Sequence, residues 1–130
     1  MKKNQIKTLL AVVAFLVVGI VSHAQVPDEI ISSLKTGNAA TLSNYFNQNI
    51  ELVVLEKDDV YSKDQAKQIV ASFFSANEAQ RFAIIHQGGK EGAHYAIGNL
   101  TTNNGVFRVY FLLKEQGKQA YIHQLRIEKQ

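Results

Sequence analysis

The side chains in this sequence best suited to acid–base chemistry are its histidines and tyrosines. Alternation along the predicted strands places Tyr121, His123 and Thr102 on one face of a sheet, and His86 and Tyr45 could line the mouth of a pocket beside it. Histidine changes charge near neutral pH, so this set could bind a small molecule or support lyase or isomerase chemistry. We keep that pocket as the alternative hypothesis, with no catalytic residue assigned.

The carboxylates do not complete such a site. Asp58, Asp59 and Asp64 cluster around the start of a predicted helix, where capping and the helix dipole account for them. No aspartate or glutamate accompanies the histidines at the spacing of a metal site, and the sequence has no cysteine. We therefore expect no metal and no cofactor, and the balance favours a non-enzymatic protein.

Two of the three arginines lie inside apolar runs, Arg108 within "VFRVYF" and Arg126 within "QLRIE". Alternation places both on the sheet face away from the core, because an unpaired guanidinium in the core would cost several kcal/mol. Aromatic residues and arginine are enriched in protein interfaces. The predicted interaction face comprises Tyr95, Ile97, Asn99, Thr101, Arg108, Tyr110, Leu112, Ile122, Gln124 and Arg126. The leading hypothesis is a homodimer or an envelope protein partner, against a plain solvated sheet face.

The elements that must position these residues follow from local signals. Pro27 and Gly37 bound a first helix, Asn38 can cap a second over "AATLSNYFNQN", and Ser62 can cap a third over "KDQAKQIVASFF". "IELVVLE" predicts one strand before the third helix. Period-two patterning then predicts four more, at Arg81–Gln87, His94–Thr102, Val106–Lys114 and Gln119–Glu128. This order predicts an α+β fold, with a curved four-strand antiparallel meander packed on the third helix.

Two turns set the predicted register. A three-residue hairpin at "KEQGK" pairs Lys114 with Lys118, and an Asn104-Gly105 turn pairs Thr101 with Arg108. The same register makes Arg108 and Arg126 diagonal neighbours and leaves Glu128 available to pair with Arg126. The face of His86 stays open, because "GGKEG" allows more than one register.

The N-terminus has the order of a secretory signal peptide. Lys2, Lys3 and Lys7 precede the apolar run "LLAVVAFLVVGIV", and Ser22-His23-Ala24 supplies small residues at the first and third positions. We expect residues 1–24 to be removed on export to the periplasm or beyond, leaving residues 25–130 as one domain. The chain has 14 basic and 11 acidic residues, so removing three lysines leaves 11 of each. That balance argues against nucleic acid as a partner, and signal cleavage would leave no stable membrane span.

The order of elements resembles a known fold. "DDVYSKDQAKQIVASFF" leading into a long meander is similar to the cystatin-like cone of the nuclear-transport-factor-two-like superfamily. More narrowly, "PDEIISSLKTGN", "HQGG", "YAIGNLTTNNGVFRVYFLLK" and "QLRIE" resemble a family of small exported Bacteroidetes proteins of unknown function. The resemblance covers the mature chain and implies the cone fold. It supplies no catalytic residue.

Overall fold

A computed structural model describes residues 26–130 of the chain. The predicted signal peptide, residues 1–24, and its cleavage boundary lie outside the described residues. The elements run in the order helix, helix, two strands, helix and four strands. No helix within residues 26–130 is both long and apolar enough to cross a membrane.

Within residues 26–130, three helices have an end at a residue that local chemistry favours. Helix α1 spans Asp28–Thr36 and ends at Gly37, whose φ of 68° is left-handed. Helix α2 spans Ala39–Ser43 and is capped by the Asn38 side chain, which accepts from the Thr41 amide at 3.0 Å. Helix α3 spans Lys63–Ala76 and begins with a capping box between Ser62 and Gln65.

In the part of the chain that the structure describes, six strands form one sheet. They are β1 (Phe46–Val54), β2 (Lys57–Ser62), β3 (Ala79–Lys90), β4 (Ala93–Thr102), β5 (Gly105–Gln116) and β6 (Gln119–Lys129). Their order across the sheet is β2-β1-β6-β5-β4-β3. Neighbours are antiparallel except β1 and β6, which are parallel. The α+β class and the curved sheet are confirmed, but six strands replace the predicted one plus four.

The difference lies between residues 44 and 62. The predicted second helix is too long, because the chain leaves α2 after Ser43 and enters β1 at Phe46. The segment Lys57–Ser62, for which no strand was predicted, is strand β2 and pairs with β1 through a turn at Leu55-Glu56.

The hydrophobic core lies between the helices and one face of the sheet. Helix α3 contributes Ala66, Val70, Phe73 and Phe74, all buried. On β5 every second side chain from Phe107 to Leu113 is buried, as alternation predicted. On β4, Ala96, Gly98, Leu100 and Thr102 are buried on the same face, also as predicted.

Both hairpin registers differ from the sequence-based prediction. The β4–β5 turn is Asn103-Asn104, so Thr101 lies opposite Val106 and Asn99 opposite Arg108. This two-residue shift leaves every side chain on its predicted face, because the side-chain period is two. The β5–β6 turn is Gly117-Lys118, and its register then changes again between Leu112 and Leu113.

That change is a β-bulge at His123. Because of it, residues in the first half of β6 lie on the faces opposite to those predicted. Leu113 pairs with Ile122 whereas Leu112 pairs with Gln124, so His123 is the extra residue. Ile122 is fully buried, and its predicted place on the interaction face is wrong. Tyr121 pairs with Lys114 and lies on the outer face with His123, so their predicted core positions are also wrong.

Candidate functional site

The five residues of the predicted pocket do not come together. Thr102 is buried at the β4–β5 turn, where its hydroxyl donates to Gly105 O at 2.9 Å and accepts from Asn104 N at 3.0 Å. His86 lies on the outer face of β3, and Tyr121 and His123 lie on the outer face of β6. Tyr45 packs against the core before β1. No single cavity among residues 26–130 can use this set.

His123 lies beside a small cleft on the outer face. The cleft has a volume of about 240 Å³ and is lined by Asn49, Glu51, Val60, Leu112, Lys114, His123 and Gln124. Burial, and then the positive charge of Lys114, lower the pKa of the His123 imidazole. Its Nε2 lies 3.3 Å from Gln116 Nε2, and an amide nitrogen only donates, so His123 accepts this bond in its neutral form.

The surroundings of Tyr45 are those of a residue that stabilises the fold. Its side chain packs against the hydrophobic core. Burial, followed by the nearby Glu29 carboxylate, raises the pKa of the Tyr45 phenol. The raised pKa keeps this phenol protonated at neutral pH, so Tyr45 can donate a hydrogen bond but cannot act as a general base there.

A larger apolar groove lies at one end of α3. Its volume is about 450 Å³, and it is lined by Val54, Leu55, Glu56, Lys57, Ile69, Ser72, Phe73, Ala76 and Asn77. None of the predicted pocket residues lines it. Between α3 and the sheet, the side chains of Phe73, Phe111 and Leu125 are buried in the hydrophobic core. The described residues also include no group of three or more histidine, aspartate or glutamate side chains placed to hold a metal ion.

The outer face of the sheet holds a row of aromatic side chains. Tyr95 and Tyr110 stack with their ring centroids 6.1 Å apart at an interplanar angle of 29°. Tyr95 OH lies 3.0 Å from His86 Nε2. The Tyr95 ring also covers Gly88, where a Cβ atom would lie only 2.9 Å from its hydroxyl. The row is therefore held in place by a hydrogen bond and by packing between neighbouring strands.

The arginines continue this row toward the centre of the sheet. Tyr110 lies directly opposite Arg126, and Arg108 lies opposite Glu128. Arg126 Nε donates to Glu128 Oε1 at 2.9 Å, which confirms the predicted pairing. Arg108 and Arg126 are diagonal neighbours, as predicted. Their directly paired neighbours are Glu128 and Tyr110, and the predicted neighbour Gln124 is not one of them.

Nine of the ten predicted interaction residues lie on this outer face, and Ile122 is the exception. Sequence reasoning missed the part of the face that belongs to β1 and β2, where Glu51, Val53, Asp58 and Val60 lie. It also missed Arg81 and left His86 open. The alternation of "IELVV" could have placed Glu51 and Val53, but nothing in the sequence indicates that β1 pairs with β6.

Comparison with known proteins identifies the family. The sequence matches the domain of unknown function DUF4783 over residues 27–128. The chain belongs to the DUF4783 family. No curated protein matches the sequence.

Solved structures of DUF4783 proteins agree. A family protein from Bacteroides ovatus is 33% identical, with a TM-score of 0.78, covering 83% of this chain and 98% of its own. One from Bacteroides uniformis is 33% identical with a TM-score of 0.77, covering 82% and 98%. A putative calcium/calmodulin-dependent protein kinase type II association domain from Thiobacillus denitrificans is 7% identical with a TM-score of 0.63, covering 79% and 90%. That last likeness concerns the fold alone.

Proposed function

We propose that this DUF4783 protein is a small exported, non-enzymatic binding domain that engages another protein through the outer face of its sheet. The observation that carries the proposal is the fixed row of Tyr95 and Tyr110 beside Arg126 and Glu128. Tyrosine and arginine dominate the binding energy of protein interfaces. Half-buried Ile97 and Leu112 flank the row and supply apolar contact area.

The size of the face supports the same proposal. Six strands leave five gaps of about 4.8 Å, so the sheet is about 24 Å wide. Strands of nine to twelve residues, apart from the shorter β2, extend roughly 30 Å. The face therefore has a flat footprint of roughly 700 Å², large enough to carry an interface of standard size.

The enzymatic alternative has less support. The predicted pocket residues are dispersed, and the groove beside α3 brings together one carboxylate, Glu56, and one lysine, Lys57, with no histidine or tyrosine. General acid–base catalysis needs a titratable group within hydrogen-bond reach of a bound substrate. The alternative function that remains is the binding of a small apolar ligand in that groove.

A photo-crosslinking amino acid at position 110, in the exported protein in its own cells, tests the proposal. Irradiation is expected to give a discrete adduct from position 110. The matched control is the same amino acid at Lys67, an exposed position on α3, which is expected to give none. Equal crosslinking at both positions, or none at position 110, would overturn the proposal.

A further inference from the structure

We infer that the partner of the outer face is a second copy of this chain, placed by a two-fold axis that runs parallel to the strands between β5 and β6. The inference rests on the proposed function and adds the identity and orientation of the partner. It follows from the order of the strands together with the distribution of charge across them.

Charge on the outer face is divided between its two halves. The acids Glu51 and Asp58 lie on β1 and β2, at one side of the sheet. The bases Arg81, Arg108 and Lys114 lie on β3 and β5, at the other side. Between them stands Arg126–Glu128, the one ion pair within residues 26–130. A face of this kind is complementary to itself when it is rotated by half a turn.

The proposed axis performs this rotation. It reverses the strand order, so β2 and β1 of one copy lie over β3 and β4 of the other, and β6 lies over β5. The rotation does not change a residue's position along the strand direction. A row of residues paired across one sheet therefore lies over the same row of the other sheet. One such row runs Asp58, Val53, Arg126, Tyr110, Ile97 and His86.

Residues in that row then meet groups of suitable chemistry. Arg126 lies over Tyr110 of the second copy, which places a guanidinium on an aromatic face. Val53 lies over Ile97, and Asp58 lies over His86. In the next row Glu128 lies over Arg108 of the second copy. Each pairing occurs twice because the interface is isologous.

The residue pairs beside the axis are the ones best suited to an experimental test. Packed sheets rotate by up to about 30° away from exact alignment, and a rotation about the normal to the sheets displaces residues far from the centre of the interface most. Arg126, Tyr110, Arg108 and Glu128 all lie on β5 and β6, next to the axis, where this rotation moves them least. Arg108 has no acid within 4.0 Å among the described residues, and the copy's Glu128 would supply one.

Two charge reversals test the geometry by sedimentation velocity and native mass spectrometry. We expect the wild type to dimerise, and Arg108→Glu or Glu128→Arg alone to weaken the dimer by at least about tenfold, because each creates two like-charge contacts. Mixing the two variants restores both contacts, so a heterodimer of near wild-type affinity is expected. Circular dichroism checks that each variant is folded.

The control mixture combines Glu128→Arg with Lys67→Glu, which makes the same charge change on α3. Its heterodimer has one attractive and one repulsive contact, so it is expected to bind more weakly than the heterodimer of the two interface variants. A wild type that stays monomeric overturns the inference. So does a dimer in which the two variants, mixed, do not recover. In either case the crosslink at position 110 still decides the proposed function separately, since an adduct of another mass would name a different partner.

Discussion

Phe82 lies across Gly98 on the core side of strands β3 and β4. A Cβ atom at position 98 would lie 2.5 Å from the Phe82 ring and 2.8 Å from the Ala83 carbonyl oxygen. The glycine is therefore required by its neighbours, since its backbone conformation is one that other residues adopt. This contact leads to the first prediction.

Gly98→Ala is expected to destabilise the fold by about 1–3 kcal/mol, because the added methyl group overpacks the core against a ring and a backbone oxygen. Urea denaturation followed by circular dichroism measures the loss. Thr101→Ala on the outer face of the same strand is the control, with an expected change within about 0.5 kcal/mol. Equal stability of the two variants would contradict the prediction.

Leu55→Gly is expected to stabilise the fold by about 0.5–1 kcal/mol. Leu55 occupies the β1–β2 turn with a φ of 56°, a conformation that costs a residue with a Cβ atom about 1–2 kcal/mol. The leucine side chain is 48% exposed, so its removal loses little burial. Leu55→Ala is the matched variant, because it removes the same side chain and keeps the strain. A gain in the alanine variant equal to that of glycine would show that backbone strain is not the cause.

Ser62→Ala is expected to cost about 1 kcal/mol of unfolding free energy. The Ser62 hydroxyl accepts from the Gln65 amide at 3.3 Å, and Gln65 Oε1 accepts from Ser62 N at 3.2 Å. Ser62→Asn keeps an N-capping oxygen and should lose less than half of that amount. Thermal or urea unfolding distinguishes the two, and identical losses would exclude capping as the explanation.

His123 is expected to titrate below the ordinary histidine pKa of 6.5 when followed by two-dimensional NMR. Lys114→Met should raise that midpoint only in part, since burial is the larger cause and remains. The unfolded chain binds a proton at this position more readily than the folded one, so stability is full above pH 6.5 and falls as the pH decreases toward the folded pKa. A midpoint at or above 6.5 in the wild type would refute this account.

Export is expected to remove residues 1–24. The intact mass of the protein recovered from its native cells should correspond to a chain beginning at Gln25. Replacing the apolar residues Val17 and Val18 with aspartate should block processing and leave the precursor in the cytoplasm. Recovery of the full-length chain from the envelope would instead indicate an uncleaved anchor.

The C-terminal end of α1 and the N-terminal ends of α2 and α3 could be predicted because their signals are local. Gly37, Asn38 and Ser62 act on backbone groups within four residues, and all three occupy the predicted caps. Strand β2 could not be predicted, because it lacks local signals of this kind. Its turn has neither glycine nor asparagine, and four of its six residues are exposed, so no alternation of polar and apolar residues marks it.

The sequence predicted the sheet face of a residue correctly where the register error was an even number of residues, and wrongly where it was odd. A two-residue error at the β4–β5 turn left Asn99, Arg108 and Tyr110 on their correct face. The single extra residue at His123 reversed the faces of Tyr121 and Ile122, while Gln124 and Arg126 beyond it were placed correctly. No residue type in "AYIHQL" marks a bulge, so the reversal could be found only from the structure.

The central position of β6 constrains when the protein can finish folding. Among residues 26–130, strand β6 follows every other strand, yet it lies between β1 and β5 and joins the β1–β2 hairpin to the three strands β3, β4 and β5. Until residues 119–129 are available, the sheet exists only as two separate pieces with unpaired edges. A chain that crosses a membrane from its N-terminus would therefore stay incomplete during its passage and close its sheet only after its last strand had arrived.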